Sequence, residues 1–148
     1  MAQGDLLTFD EFKLNIGDGS HDLGSDTFAI ILITTLPTVG AATPDRGDFT
    51  EVSAGGGYST GGITLTGVTW NEAAGTATFD SSLLVAWTAA AGSPTNIVAG
   101  LLVNNTHAGT NDAIAFIDMT TDGGSTPISL VAGNISITFN ASGLFTVS

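Results

Sequence analysis

Residues 27–36 read Thr-Phe-Ala-Ile-Ile-Leu-Ile-Thr-Thr-Leu, a continuous β-branched and aliphatic run. A strand with one wet face alternates apolar and polar residues, and this one does not. The run therefore predicts a central strand buried on both faces. The rest of the chain reads as β too. Ile63–Trp70 sets Ile63, Leu65 and Trp70 against Thr64, Thr66 and Thr69, with Gly67 interrupting the pattern, and 71–75 predicts a turn into Thr76–Phe79. Further strands are expected at 83–88, 96–103, 113–119, 128–131, 134–139 and 144–147. Gly, Pro, Asn, Asp and Ser cluster between them, as turn chemistry requires.

One helix is expected, over residues 5–17. Thr8 and Glu11 have the spacing of a capping box, Leu7 and Phe12 that of a hydrophobic staple, and Gly17 suits the left-handed C′ position. Phe9, Phe12 and Ile16 share a face. Gly is abundant, 20 of 148 residues, but grouped at turns with no solenoid or collagen period. Residues 37–48 form the longest loop, and loops of that length in small domains are usually functional or mobile. The expected fold is all-β. It is one domain over 1–148, a β-sandwich, jelly roll or barrel of about eight or nine strands spanning 26–148, with one short N-terminal helix.

Charge narrows the function. Fourteen acidic and two basic side chains give a net charge of −12, yet charged residues are only 11% of the chain, against about 25% in an ordinary soluble domain. Low charge density with 43% hydrophobic residues is the opposite of a disordered composition. Lys13 and Arg46 are the whole supply of cations, too few to neutralise nucleic-acid phosphates or an anionic membrane. The absence of Cys removes disulfides, thiolate metal sites and Cys nucleophiles. No apolar run approaches the roughly 18 residues of a membrane span, and the N-terminal residues lack a signal-peptide pattern.

The candidate chemistry is sparse. Asp18, Ser20 and Asp22 alternate like the first ligands of a calcium loop, but the glycine falls one place late and Ala29 stands where the twelfth-position Glu belongs. A turn between helix and strand is the favoured reading of 18–26. His21 and His107, the two histidines, fall in predicted loops, with no Gly-x-Ser-x-Gly elbow to serve, and are expected at the surface without a role. Asp112 and Asp118 flank one predicted strand near opposite ends, poorly placed as a glycosidase pair. Arg46-Gly47-Asp48 is an adhesion tripeptide, and Asn104, Asn134 and Asn140 each begin a glycosylation sequon. Trp70, Trp87, Phe79, Phe116 and Phe139 are expected in the core. No catalytic, cofactor or metal residue is assigned, so the chain is expected not to be an enzyme. A surface this poor in charge fits a subunit covered by neighbours.

Phe9-Asp-Glu-Phe12-Lys13 followed by His21-Asp22-Leu23-Gly-Ser-Asp26-Thr27-Phe28 resembles the start of small tailed-bacteriophage virion proteins of the capsid decoration, or cement, type. The resemblance continues through Phe49-Thr-Glu51, Gly55-Gly-Gly-Tyr58, Thr69-Trp70, Gly75-Thr-Ala-Thr-Phe79-Asp80 and Phe139-Asn-Ala-Ser-Gly-Leu-Phe145. After Gly100 the aromatic-rich strand of those proteins is replaced by Leu101-Leu-Val-Asn-Asn-Thr-His. The resemblance implies a structural protein on the outer surface of the virion, bound to the major capsid protein and bracing its lattice. It further implies a homo-oligomer, dimer or trimer, with no cofactor, nucleic-acid or membrane partner. An acidic protein suits the outside of a DNA-filled shell better than the inside. Phe9 and Phe12 of the N-terminal segment, and Pro44, Arg46 and Asp48 of the 37–48 loop, are the candidate partner contacts. The alternatives are a phage tail tube, tail or fibre component, and a carbohydrate-binding β-sandwich module.

Overall fold

The computed structural model of the chain describes residues 3–41, 44–82 and 84–147. Leu83 of the expected strand 83–88, and residues 42 and 43 of the 37–48 loop, lie outside them. The fold is all-β, with ten strands and one short helix among the described residues. Strands β1 (Leu6–Thr8), β2 (Phe28–Ile33), β3 (Ile63–Thr64), β7 (Ala99–Asn104) and β8 (Ala113–Asp118) form a five-stranded antiparallel sheet in the order β1-β8-β7-β2-β3. Strands β4 (Thr69–Ala73), β5 (Thr76–Asp80) and β10 (Phe145–Val147) form a second sheet, ordered β10-β5-β4. Strands β6 (Leu84–Trp87) and β9 (Ile135–Thr138) form a two-stranded third.

Every residue of β2, β7 and β8 is buried, and the side-chain period of two divides β2 cleanly. Phe28, Ile30 and Leu32 join a large inner core with Phe79 of β5, Val85 and Trp87 of β6, and Ile135 and Ile137 of β9. The two smaller sheets thus form the layer opposite the five-stranded one, giving a sandwich-like body. Ala29, Ile31 and Ile33 point the other way, into a second core with Ala99, Leu101, Val103 and Phe116. That outer face is covered by Phe9, Leu36, Ala41 and Phe49, so the central strands are apolar on both sides. Aromatic rings tie the inner layers together. Phe12 meets Phe145 edge-on at 5.1 Å, Phe145 stacks on Phe79 at 5.0 Å, and Phe79 meets Phe28 at 5.1 Å, a spacing at which such pairs add to simple burial.

The N-terminal helix is shorter than expected. Residues 6–8 are strand β1, paired with Ile117, Phe116 and Ala115 of β8, and the helix α1 runs only over Phe12–Gly17. The N-cap is Glu11, without a side-chain cap bond, so the Thr8–Glu11 capping box does not form. Ladder bonds to a buried strand, plus burial beside it, outweigh what a two-turn helix gains from a cap. Gly17 is the last helical residue, and Gly19 takes the left-handed conformation instead, at φ +82°. The expected strand 63–70 is broken in two at Gly67, φ +61°. Residues 128–131 form no strand; Ile128 makes a single bridge to Ile97.

Two backbone features of the second layer are testable. Ala73 pairs with Thr76 across Ala74-Gly75, whose φ values of +53° and +86° make a two-residue hairpin turn that favours Asn-Gly. An alanine there carries the left-handed penalty of about 1 kcal/mol. Ala74→Asn is expected to recover much of it, read as a higher urea midpoint at unchanged m-value. At Gly57, by contrast, an added Cβ would lie 1.8 Å from the Thr88 carbonyl oxygen. Gly57→Ala must push apart two backbone segments and is expected to lower the same midpoint by more than Ala74→Asn raises it.

Candidate functional site

Two clusters of polar side chains, around Asp112 and around Asn104, lie at one end of the central strands, where the 44–49 segment and residues 18–27 meet the β7–β8 turn. Asp112 immediately precedes β8 and is fully buried. Its Oδ1 accepts the Arg46 backbone N–H at 2.6 Å, while Oδ2 accepts the Gly109 N–H at 3.0 Å and a short bond from Arg46 Nε. The same guanidinium donates through Nη2 to the Asn104 carbonyl at 3.2 Å and to Asn105 Oδ1 at 2.8 Å. A planar fork meeting a carboxylate and two carbonyl-type oxygens is a task for Arg rather than Lys. Ala113 N–H adds a bond to the Pro44 carbonyl at 3.0 Å, so the segment is fastened to both strands of the hairpin.

The candidate contacts can now be placed. Phe9 is 0% and Phe12 2% exposed; each fills a core, and neither offers its side chain to a partner. Pro44 is buried against β8 and Arg46 is held by Asp112, with a side chain 27% exposed. Asp48 alone of the five is exposed, and its Oδ2 accepts the Asp45 N–H at 2.9 Å, closing a 3-10 turn over 46–48. The 37–48 loop, expected to be functional or mobile, contributes Ala41 to the outer face of the sheet, and its neighbours Leu36 and Phe49 pack there too. The adhesion reading of Arg46-Gly47-Asp48 lacks a free Arg46, whose guanidinium is held by Asp112.

The second cluster surrounds Asn104, a fully buried residue at the end of β7. Its Nδ2 donates to Asp26 Oδ2 at 2.7 Å and lies 3.1 Å from His21 Nδ1, while its Oδ1 accepts the Thr106 N–H at 2.9 Å. Because an amide nitrogen only donates, His21 Nδ1 accepts, which leaves its proton on Nε2. That Nε2, like the amide nitrogen of Asn15, is buried with no hydrogen-bond partner among the described residues. His21 is 3% exposed, so the expectation of a surface histidine is corrected: it packs beside the Phe12 ring, centroids 5.8 Å apart. His107 is exposed and sits 3.7 Å from Asp26. Burial, reinforced by the neighbouring His107, pushes the pKa of His21 below the usual imidazole value, while Asp26 and Asp18 pull the other way.

The remaining carboxylates serve local backbone. Asp18 Oδ1 accepts Ser20 N–H and Asp22 Oδ1 accepts Gly24 N–H, both at 2.9 Å, so 18–26 is the turn that its residues suggested. Among the described residues no group of three or more acidic or imidazole side chains is arranged to hold a metal ion. Asp118 Oδ1 accepts the Thr120 N–H and hydroxyl at 2.8 and 2.7 Å, at the far end of β8 from Asp112. The Tyr58 hydroxyl donates to Glu51 at 2.5 Å and accepts the Leu32 N–H at 3.1 Å, and burial raises its pKa. Trp87, Phe79, Phe116 and Phe139 are core residues as expected, while Trp70 is half-buried against the core. Of the sequons, Asn104 is sealed inside, whereas Asn134 and Asn140 are exposed. Composition alone did not single out the Arg46–Asp112 pair or the Asn104 hub. The available signal was that one of only two cations had to find a carboxylate, and Asp112 abuts an all-apolar strand.

Arg46→Met would leave the Asp112 carboxyl buried and short of its main partner, a loss of about 3 kcal/mol for a pair of this kind. Urea unfolding is expected to show it, with Arg46→Lys recovering less than half because the fork to Asn104 and Asn105 is gone. His21 gives a pH signature. Its lowered folded pKa means the unfolded chain binds the proton more readily, so its contribution is complete above the unfolded value of about 6.5 and is lost as pH falls through the folded value. The thermal midpoint is expected to fall between pH 7 and 5 more steeply in the native chain than in His21→Gln. The lowered pKa values of Asp18, Asp22 and Asp122 act in a separate, more acidic window.

Compared with protein-family models, curated proteins and solved structures, the chain matches none.

Proposed function

We propose that the protein is a structural subunit of a virion, of the capsid decoration type, which binds the major capsid protein on the outer surface of the shell and braces the lattice. The observation that carries this reading is the division of labour among its side chains. The groups capable of acid–base or metal chemistry, namely Asp112, Asp118, Asp26, His21 and Glu51, hold backbone and buried side chains in place. They do not converge on a cleft. The exterior carries Thr, Ser, Asn, Ala and Gly with separated carboxylates and scattered apolar side chains, such as Leu14 at 61%, Leu84 at 59% and Val131 at 47% exposure. Such a surface is suited to being covered by protein neighbours. The motif resemblance from Phe9 to Phe28 and from Phe49 to Phe79 supports the same role, acting as a dimer or trimer without a cofactor. A tail tube, tail or fibre component is the second reading, carried by the same resemblance. For the sugar-binding reading Trp87 and Tyr58 are 3% and 2% exposed, which leaves the half-buried Trp70 of β4 as its platform among the described residues.

The test is location. Density or label on the head surface at capsid symmetry axes is expected in particles that contain the protein, and label confined to the tail would transfer the assignment there. Particles made without it are expected to assemble yet release their DNA at a lower temperature. Failure to assemble would make it an essential shell or tube component instead.

A further inference from the structure

Acidic as the chain is, its charges are unevenly placed. Residues 81–111 and 123–148 contain no Asp, Glu, Lys or Arg, and both strands of the small third sheet, β6 and β9, come from those two stretches. Val85, Trp87, Ile135 and Ile137 turn into the inner core, so by the period of two Leu84, Ala86, Ser136 and Thr138 face outward. All four are exposed, and the register sets Leu84 beside Thr138 and Ala86 beside Ser136. The turns 88–92 and 131–134 continue this face at one end, joined where the Ala89 N–H donates to Asn134 Oδ1 at 2.7 Å, and they add no charge. Leu84 is thus a large apolar side chain, 59% exposed, on a charge-free sheet face. Exposed apolar side chains elsewhere have carboxylates for neighbours. Leu14 lies one helical turn from Glu11 and from Asp18, and Val147 shares a sheet row with Ala77 and Glu72.

Charge and hydrogen-bond chemistry select what such a face meets. A basic partner finds no carboxylate on it. Two copies of this chain have almost no cations to set against each other's carboxylates, since Arg46 is engaged by Asp112 and Lys13 lies beside Asp10. They therefore meet at least cost where both are uncharged. Hydroxyls and amides both donate and accept, so Ser136, Thr138 and Asn134 can pair with their own copies, whereas a carboxylate only accepts. Shape agrees with this. Leu84 is the one long side chain among the four, and Ala86 and Ser136 leave low ground beside it. A two-fold arrangement lets each Leu84 cover the Ala86–Ser136 pair of the other copy, as a self-complementary patch requires. We infer that the outer face of β6 and β9 is the contact through which two copies of this chain form a two-fold dimer. The core of a protein interface is depleted of charge in the same way. The dimer supplies a surface for the homo-oligomer of the function proposed above and rests on that part of it alone.

The test is sedimentation velocity on the intact chain, from low micromolar to near-millimolar concentration. A monomer–dimer equilibrium is expected. It should tighten with added salt, because screening weakens the repulsion between two chains of charge −12 while the contact has no ion pair to lose. In a two-fold contact each substitution acts twice, so Leu84→Glu is expected to weaken the dimer about a hundredfold. Ser136→Glu should do the same from the neighbouring strand, which keeps the inference testable if the first variant fails to fold. Leu14→Glu, as exposed but on α1, should leave the equilibrium unchanged. A chain that stays monomeric over the whole range, a dimer that survives both Leu84→Glu and Ser136→Glu, a dimer that salt dissociates, or an odd-numbered oligomer would overturn the inference. None of these outcomes bears on whether particles carry the protein on the head or the tail, so failure of the dimer and failure of the virion reading stay distinct.

Discussion

The structure turns on one constraint: the strands β2, β7 and β8 are apolar on both faces. An antiparallel sheet ordinarily keeps one face wet, and a 148-residue chain has little material for two covers. The inner face is met by the two smaller sheets and α1. Among the described residues the outer face is covered by Phe9, just after β1, and by Leu36, Ala41 and Phe49, the last three from a segment without regular secondary structure apart from one 3-10 turn. Such a cover has few ladder bonds to hold it, so its attachment depends on side chains. Arg46 reaching Asp112, Asn104 and Asn105 provides that attachment, and burying one carboxylate follows from it. Unpaired, that carboxylate would be among the costliest groups in the molecule.

This explains why the polar residues most suggestive of chemistry are structural. Each sits where an apolar strand stops and its last backbone groups need partners. Asp112 opens β8 and Asp118 ends it, Asn104 ends β7, and Asp26 precedes β2. Glu51 and Tyr58 bind each other beside β2, where Tyr58 also accepts the Leu32 N–H. At such positions a carboxylate or amide satisfies several donors at once. Two of these polar residues keep an atom unpartnered: Asp118 Oδ2 and His21 Nε2 are buried without a hydrogen-bond partner among the described residues, and His21 lies in the cluster where both histidines and Asp26 meet.

The strand pattern was legible because period-two alternation and its absence are local signals. The run 27–36 correctly announced a strand buried on both faces, and the turn at Gly75 was visible from its residues. What was not legible depends on choices between local and distant partners. Leu6–Thr8 carries a plausible capping box, yet its backbone bonds to β8, about 110 residues away, and no local pattern reports that. The 37–48 loop reads as functional or mobile because its polarity is that of a loop. The place of its Ala41 in the outer cover follows only from the need of β2 for a second apolar layer. The candidate contacts Phe9 and Phe12 failed as surface residues for the same reason, since aromatic residues near a terminus are as useful for closing a core as for binding.

The charge of −12 gains a sharper meaning from these contacts. One of the two cations, Arg46, is consumed inside the molecule with Asp112, and the other, Lys13, lies 3.5 Å from Asp10 on the surface. The exterior is therefore acidic almost without relief, while being too sparsely charged to repel neighbours strongly at any one spot. At physiological salt the Debye length is about 8 Å, so isolated carboxylates act only on what touches them. Association with such a surface is governed by shape, by apolar contact and by the presence of an occasional cation on the partner. A partner rich in carboxylates is disfavoured locally and one with a few well-placed Lys or Arg is favoured, which is selection by contact rather than by long-range field. The lattice-bound role proposed above would call for that kind of selectivity, since it requires recognising an assembled protein surface rather than nucleic-acid phosphates.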